Sequence, residues 1–419
     1  MESLRTLYTT LVTAPINAMA TTLDFSTRFA LLLVAGIVVA EAARRVLRLP
    51  RVTGYLLCGA LIGPSWLGFV TPEDIAPLHV VGEMALGLVV FELGSRVDLA
   101  WLRRNPWLLA TSLLEATITF IAVGALLLAI GADTAVAGVV AAICVASSPA
   151  VLLRIAHELR ARGQATERAM LLCALNAIYS IVLLETLVAV LHLGVSDTMP
   201  TLLQPVRLLC GSLLLGVVTA LVLDRIFRAF AGPGADAFLL ALSVILLCGT
   251  VAMQTGLSTP LALLLGGLLL RHRSTRLVLF PPHFGTAGGV LVVLLFVLTG
   301  IRIDIAALLA GSGAALGVVA LRSAAKISVA AALARPSGLT TRKGVLVGVA
   351  LTPMSALTLL LVNHAPLAQL DVAAAVTSIV VGALFIVEIA GPVACALALR
   401  FAGETTNDRV SGTEHARTL

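Results

Sequence analysis

Charge is scarce in this sequence. Of 419 residues, 12% are Asp, Glu, Lys or Arg, 5% are aromatic and 59% are hydrophobic, and the mean hydropathy is +1.06. Soluble domains average roughly 25% charged residues, so a water-covered globule is excluded. Strictly alternating polar and apolar runs are missing too, which excludes a closed β-barrel. The six cysteines all lie in apolar runs, so no disulfide framework is implied. The seven histidines are scattered near loops with no HExxH helix, and neither a nucleophile-base pair nor a carboxylate dyad at shared depth stands out. The expectation is a protein that is not an enzyme and holds no metal and no cofactor.

What fills the chain is a succession of apolar runs. A spanning helix takes about 20 mostly apolar residues, and thirteen such runs are centred near 35, 59, 89, 119, 145, 178, 214, 245, 264, 292, 320, 352 and 384. The fold class expected is an all-α polytopic membrane protein. A formal net charge of +6 raises the question of nucleic acid, and the placement of the basic residues answers it. Arg44, Arg45 and Arg51 follow run 1, Arg103 and Arg104 follow run 3, and Arg154, Arg160, Arg162 and Arg168 surround the loop after run 5. Arg225 and Arg228, then Arg271 and Arg273, then Arg335, Arg342 and Lys343, and finally Arg400 keep the alternation. The opposite loops carry acids such as Glu73, Asp74 and Asp133. Positive loops stay on the cytoplasmic side, which predicts an outer N-terminus, a cytoplasmic C-terminus and a place in the bacterial inner membrane, with no nucleic-acid partner. The arginine cluster after run 1 argues against a cleaved signal peptide. The polar stretch 403–419 reads as a disordered tail.

An internal repeat is legible. "GSRVDLAWL" at 94–102 matches "GIRIDIAAL" at 300–308, "LLCGALI" at 56–62 matches "LLLGGLL" at 263–269, and "SPAVLL" at 148–153 matches "TPMSAL" at 352–357. The matched runs differ by seven, an odd number, so the copies face opposite ways. Inverted repeats are a transporter architecture in which corresponding helices break at the membrane midplane. Pro149 and Pro353 supply the breaks, beside the hydroxyls of Ser147, Ser148, Thr352 and Ser355. A mid-helix proline removes a donor and frees carbonyl oxygens.

With "RLPRVTGYLLCGALIGP" at 48–64, Glu83 followed by "VVFELGSRVD", "ASSPAVLL", "GLSTPLALLLGGLLL" at 256–270 and "LFVLTGIRID" at 295–304, the chain resembles the bacterial monovalent cation:proton antiporter-2 family, relatives of the sodium/proton exchangers. The resemblance implies an inverted-repeat antiporter fold of about thirteen transmembrane helices with two crossing broken helices. It implies an exchanger domain over 25–402 after an external segment 1–24, with repeat one at about 25–193, a linking helix at about 203–226 and repeat two at about 236–400. It further implies a homodimer in the lipid bilayer that exchanges a small ion, sodium or potassium, for protons.

The family keeps an Asp-Asp or Asn-Asp pair that should fall at Asn176 and Ala177, so the resemblance puts alanine where the ion-binding aspartate belongs. The Pro-Arg-Gly-Glu of many members is here Pro353, Met354, Ser355 and Ala356. Intramembrane ionisable groups are functional candidates by default. Lys326 matches a family lysine and lies at the depth of Asn176, with Arg322 one turn away on the same face. Tyr179 and Ser180 share the face of Asn176. The buried acids are Glu92, Glu115, Glu185 and Glu388, and Glu92, Glu115 and Glu185 are the candidates for a relocated carboxylate. For Glu92 an ion pair with Arg96 is an equal expectation, and Glu185 could pair with Arg322. The site reads as basic and poor in carboxylate, which leaves two other readings open: a carrier of anions or other solutes, and a transport-inactive scaffold or sensor.

Overall fold

A computed structural model describes residues 22–47, 49–64, 66–70, 72–192, 198–229, 235–273, 285–301, 305–354, 356–362 and 372–405. Ser355, the 302–304 part of the second repeat motif, and most of the two terminal segments lie outside the described residues. The described residues are helical almost throughout. The helices are α1 (Phe25–Val46), α2 (Arg51–Ile62), α3 (Pro72–Arg96), α4 (Leu99–Arg104), α5 (Pro106–Ala129), α6 (Thr134–Val145), α7 (Pro149–Glu158) and α8 (Gln164–His192). They continue as α9 (Thr198–Ala229), α10 (Ala235–Thr255), α11 (Thr259–Arg273), α12 (Gly285–Ile301), α13 (Ile305–Ala332), α14 (Thr341–Ala350), α15 (Ala356–Val362) and α16 (Ala373–Phe401).

Local chemistry starts several of them. Asp98, Asn105, Asp133, Ser148 and Thr340 each cap a helix through a side-chain oxygen that accepts a first-turn N–H, and Pro106 and Pro149 occupy first helical positions, where a missing donor costs nothing. Among the described residues six stretches are long and apolar enough to cross a membrane. Burial separates their roles. In the most apolar window of Pro106–Ala129, 33% of residues are buried, against 94% for Thr134–Glu158, so α5 presents Trp107, Leu113, Leu114 and Ile121 outward while the α6–α7 segment runs through the interior.

The helices sort into two sets. α1, α2, α3, α9, α10, α11 and α12 pack mainly on one another, as do α5, α6, α7, α8, α13, α14, α15 and α16. Across the seam between the sets, α3 meets α7 and α8, α2 meets α16, and α8 meets α9 and α11. The arginine-rich helix ends gather at one end of the bundle, where Arg273 reaches Asp224 at 3.2 Å and the Arg51 N–H donates to Glu158 at 3.2 Å.

Glycines set the closest helix approaches in the first set. A Cβ on Gly59 would lie 2.0 Å from the Val297 carbonyl oxygen, and one on Gly300 would lie 2.3 Å from that of Leu56. The counterpart joint is α3 against α11, where a Cβ on Gly267 would meet the Phe91 oxygen at 2.2 Å and one on Gly94 the Leu264 oxygen at 2.1 Å. The sequence match aligns Gly59 with Gly266. The packing gives that role to Gly267, one residue on, because only that face of α11 points at α3.

Candidate functional site

Two helix breaks meet in the second set. α6 ends at Val145 and α7 begins at Pro149, leaving 146–148 extended, and α14 ends at Ala350 with 351–354 unwound before α15. The Ser148 N–H donates to the Pro353 carbonyl at 2.9 Å and the Ser147 hydroxyl to that of Leu351 at 2.8 Å. Each break thus satisfies part of the other, as buried backbone requires where no water is at hand. Gly391 of α16 lies close against Pro353: a Cβ there would sit 3.1 Å from the Pro353 Cα, tighter than ordinary contact.

Arg322 of α13 takes up three further carbonyls. Its Nε donates to Cys144 at 2.7 Å, Nη2 to Ala146 at 2.6 Å and Nη1 to Thr352 at 2.5 Å, and its exposure is 0%. One guanidinium therefore spans both breaks, a use of its fixed fork of donors. The expected pairing of Arg322 with Glu185 does not carry this arrangement: the guanidinium is directed at backbone oxygens. Glu185 is buried two turns beyond Asn176 on α8.

Lys326, one turn further along α13, is equally buried and forms an ion pair with Glu115 of α5 while donating to the Val145 carbonyl at 3.0 Å. Lys326 lies at the depth of Asn176, and its ammonium is directed at Glu115. A desolvated ammonium needs a counter-charge that an amide cannot supply, and Glu115 supplies it. The site accordingly is not devoid of carboxylate. Glu115 is the acid of the three candidates that the structure brings to the breaks; its Oε1 also accepts from Thr119 at 3.4 Å, and its Oε2 has no hydrogen-bond partner. Glu92 instead pairs with Arg96 at 2.7 Å near the end of α3.

Asn176 sits on α8 with 0% exposure; its Nδ2 donates to the Ser147 hydroxyl at 3.4 Å and its Oδ1 is unpartnered. Ala177 is buried beside it. Ser180 donates to the Ala142 carbonyl at 2.8 Å, fastening α8 to α6, and Tyr179 accepts from Ser112 at 3.1 Å, one turn before Glu115. Thr352 folds back on Val349 at 2.8 Å. Ser147, Ser148, Pro149, Asn176, Ala177, Arg322, Lys326, Thr352 and Pro353 thus belong to one buried assembly with Glu115, and Tyr179 and Ser180 border it.

No local sequence pattern assigns Glu115 a partner. Its depth was the available signal: nine residues from Pro106, roughly 13 Å, matching Lys326 and Asn176. Glu388 of α16 had no assigned role either. It is 1% exposed with neither carboxylate oxygen partnered.

The start of α8 is held from a distance. Glu404, beyond α16, accepts from the Ala165 N–H at 2.9 Å, the Thr166 N–H at 2.9 Å and hydroxyl at 2.8 Å, and from Lys343 of α14 at 3.0 Å. Burial pushes its carboxyl up, but these donors outweigh burial and hold it below the ordinary 4.5. Gly163 allows the approach, since a Cβ there would lie 2.2 Å from the Glu404 carboxyl carbon.

The family model described as "Sodium/hydrogen exchanger, transmembrane" matches residues 29–399. Among solved structures, that of the sodium proton antiporter MjNhaP1 from Methanocaldococcus jannaschii at pH 8 is similar, with TM-score 0.65 and 17% identity over 90% of this chain and 95% of that one. An electron-microscopy structure of the same antiporter gives TM-score 0.61 and 17% identity over 89% and 94%. At that identity the likeness concerns the fold. No curated protein matches the chain.

Proposed function

The chain belongs to the sodium/hydrogen exchanger family, and from that premise we propose that it exchanges sodium or potassium for protons with Glu115 and Lys326 as the exchanging pair. It is a secondary cation/proton antiporter, not an enzyme. Its motifs favour the monovalent cation:proton antiporter-2 branch. The alternation of basic loops supports an outer N-terminus, a cytoplasmic C-terminus and a bacterial inner-membrane location, and the exchanger architecture supports a homodimer working by alternating access.

One observation carries the proposal: a fully buried carboxylate-ammonium pair beside the two breaks, with Glu115 Oε2 and Asn176 Oδ1 both unpartnered. The pair is neutral as it stands. A monovalent cation bound by the Glu115 carboxylate, with Asn176 and the unwound backbone as neutral oxygen donors, adds one charge to a site that cannot disperse it. Loss of the Lys326 proton removes that charge. Cation binding and proton binding are then mutually exclusive, which is the condition for exchange. An anion carrier is less well supported, because Arg322 directs its donors to three carbonyls.

Proteoliposomes with an internal pH dye, pulsed with sodium or potassium chloride, test this. The unmodified protein should alkalinise or acidify the lumen according to the imposed gradient, and Glu115→Gln and Lys326→Ala should each abolish the response. Exchange that persists in Glu115→Gln would sink the assignment. A silent unmodified protein that gains exchange on Ala177→Asp would favour the scaffold reading.

A further inference from the structure

A polar cavity lies on the seam at the arginine-rich end. It measures about 440 Å³ and is lined by Arg96 of α3, Asp98 capping α4 and Trp101 within it, Gln164, Glu167 and Arg168 of α8, and Arg271 of α11. Its arginines come from both helix sets.

Arg168 is 5% exposed, its guanidinium stacks 5.5 Å from the Trp101 ring centre, and its Nη1 donates to Ser337 at 2.9 Å. Its Nε is buried without a partner. A buried guanidinium donor without an acceptor costs free energy, and Arg168 lines the cavity. Arg271 makes one long bond, 3.4 Å, to the Ser95 carbonyl, and Arg96 is shared with Glu92.

The wall holds two acids, Asp98 and Glu167, against three arginines. Asp98 accepts from the Ala100 and Trp101 N–H groups at 2.8 and 3.1 Å, and Glu167 is exposed with Arg96 and Arg271 among the charges near it. We propose that this cavity binds a phosphate oxyanion, free or on a lipid headgroup, between Arg168 of one helix set and Arg96 and Arg271 of the other. Planar forks of donors converging from separate helices match tetrahedral oxyanions. A bound phosphate would bridge the seam, with Arg168 about 12 Å along α8 from Asn176. The proposal is independent of the exchange reading, because it concerns binding and is measured without transport.

The test follows the unfolding midpoint and tryptophan fluorescence of the detergent-solubilised protein during titration with sodium phosphate, against sodium chloride at equal ionic strength. A parallel arm compares nanodiscs of neutral lipid with nanodiscs containing phosphatidylglycerol. The expected result is a saturable upward shift with phosphate or with the anionic lipid, weakened about tenfold or more by Arg271→Gln, as loss of a charged donor implies. Arg271→Lys should weaken it less, and Arg225→Gln, at another exposed basic site, should leave it unchanged. Arg271 is exposed at a helix end, so its substitution leaves the packing intact. A shift by phosphate locates a free ion and a shift by the lipid alone locates a headgroup. Absence of both, or a shift that survives Arg271→Gln and Arg96→Gln together, overturns the proposal.

Discussion

Lys326 and Glu115 bury opposite charges at 0% exposure each, and the two partners respond differently to loss than to joint replacement. Removing one partner strands the other; breaking a buried pair this way costs about 3–5 kcal/mol, whereas replacing both costs far less. Lys326→Met and Glu115→Leu should therefore each lower the unfolding midpoint strongly, and the double variant should recover most of it. Differential scanning fluorimetry reads all three. Recovery of folding without recovery of exchange would separate the stabilising from the transporting use of the same charges; an additive double variant would contradict the coupling. At this scale the sequence was partly legible. Arg322, Lys326 and Asn176 announce themselves as polar groups inside apolar runs. The Lys326–Glu115 pair does not, because its partners lie 211 positions apart on helices whose adjacency no local pattern encodes.

The paired prolines and the repeated glycines govern the helices. Pro149 and Pro353 forecast both breaks because the cause is local: a missing donor and a ring that clashes one turn back. The glycine register was harder to read. Motif alignment pairs Gly59 with Gly266, yet the joint uses Gly267, since which glycine faces a neighbour depends on helix rotation that a seven-residue match leaves open. Gly59→Val and Gly267→Val should each disrupt their helix joint, since backbone atoms stand where the Cβ would go. Gly289→Val should be tolerated, as nothing lies within 4 Å of its Cβ position. Yield of monodisperse protein on size-exclusion chromatography distinguishes the outcomes, and normal yields from both joint variants would refute the packing argument.

For the whole molecule, Glu404 ties α16, α8 and α14 together across 239 positions of sequence, a contact no motif could reveal. Its carboxyl is held below its ordinary value of 4.5, so the folded state favours the ionised form. The clasp is then fully present above pH 4.5 and is lost as pH falls through the lowered folded value. Unfolding midpoints of the unmodified protein and Glu404→Gln should differ at neutral pH and converge on acidification; a gap independent of pH would refute the ionic account.

The shared guanidinium at the breaks has a mechanical meaning. Cys144, Ala146 and Thr352 hang from one planar group, so the two unwound segments cannot shear past each other without losing charged hydrogen bonds in a place where water cannot replace them. They behave as one keyed joint. A displacement of this joint that kept those three bonds would carry α6, α7, α13 and α14 with it as a block.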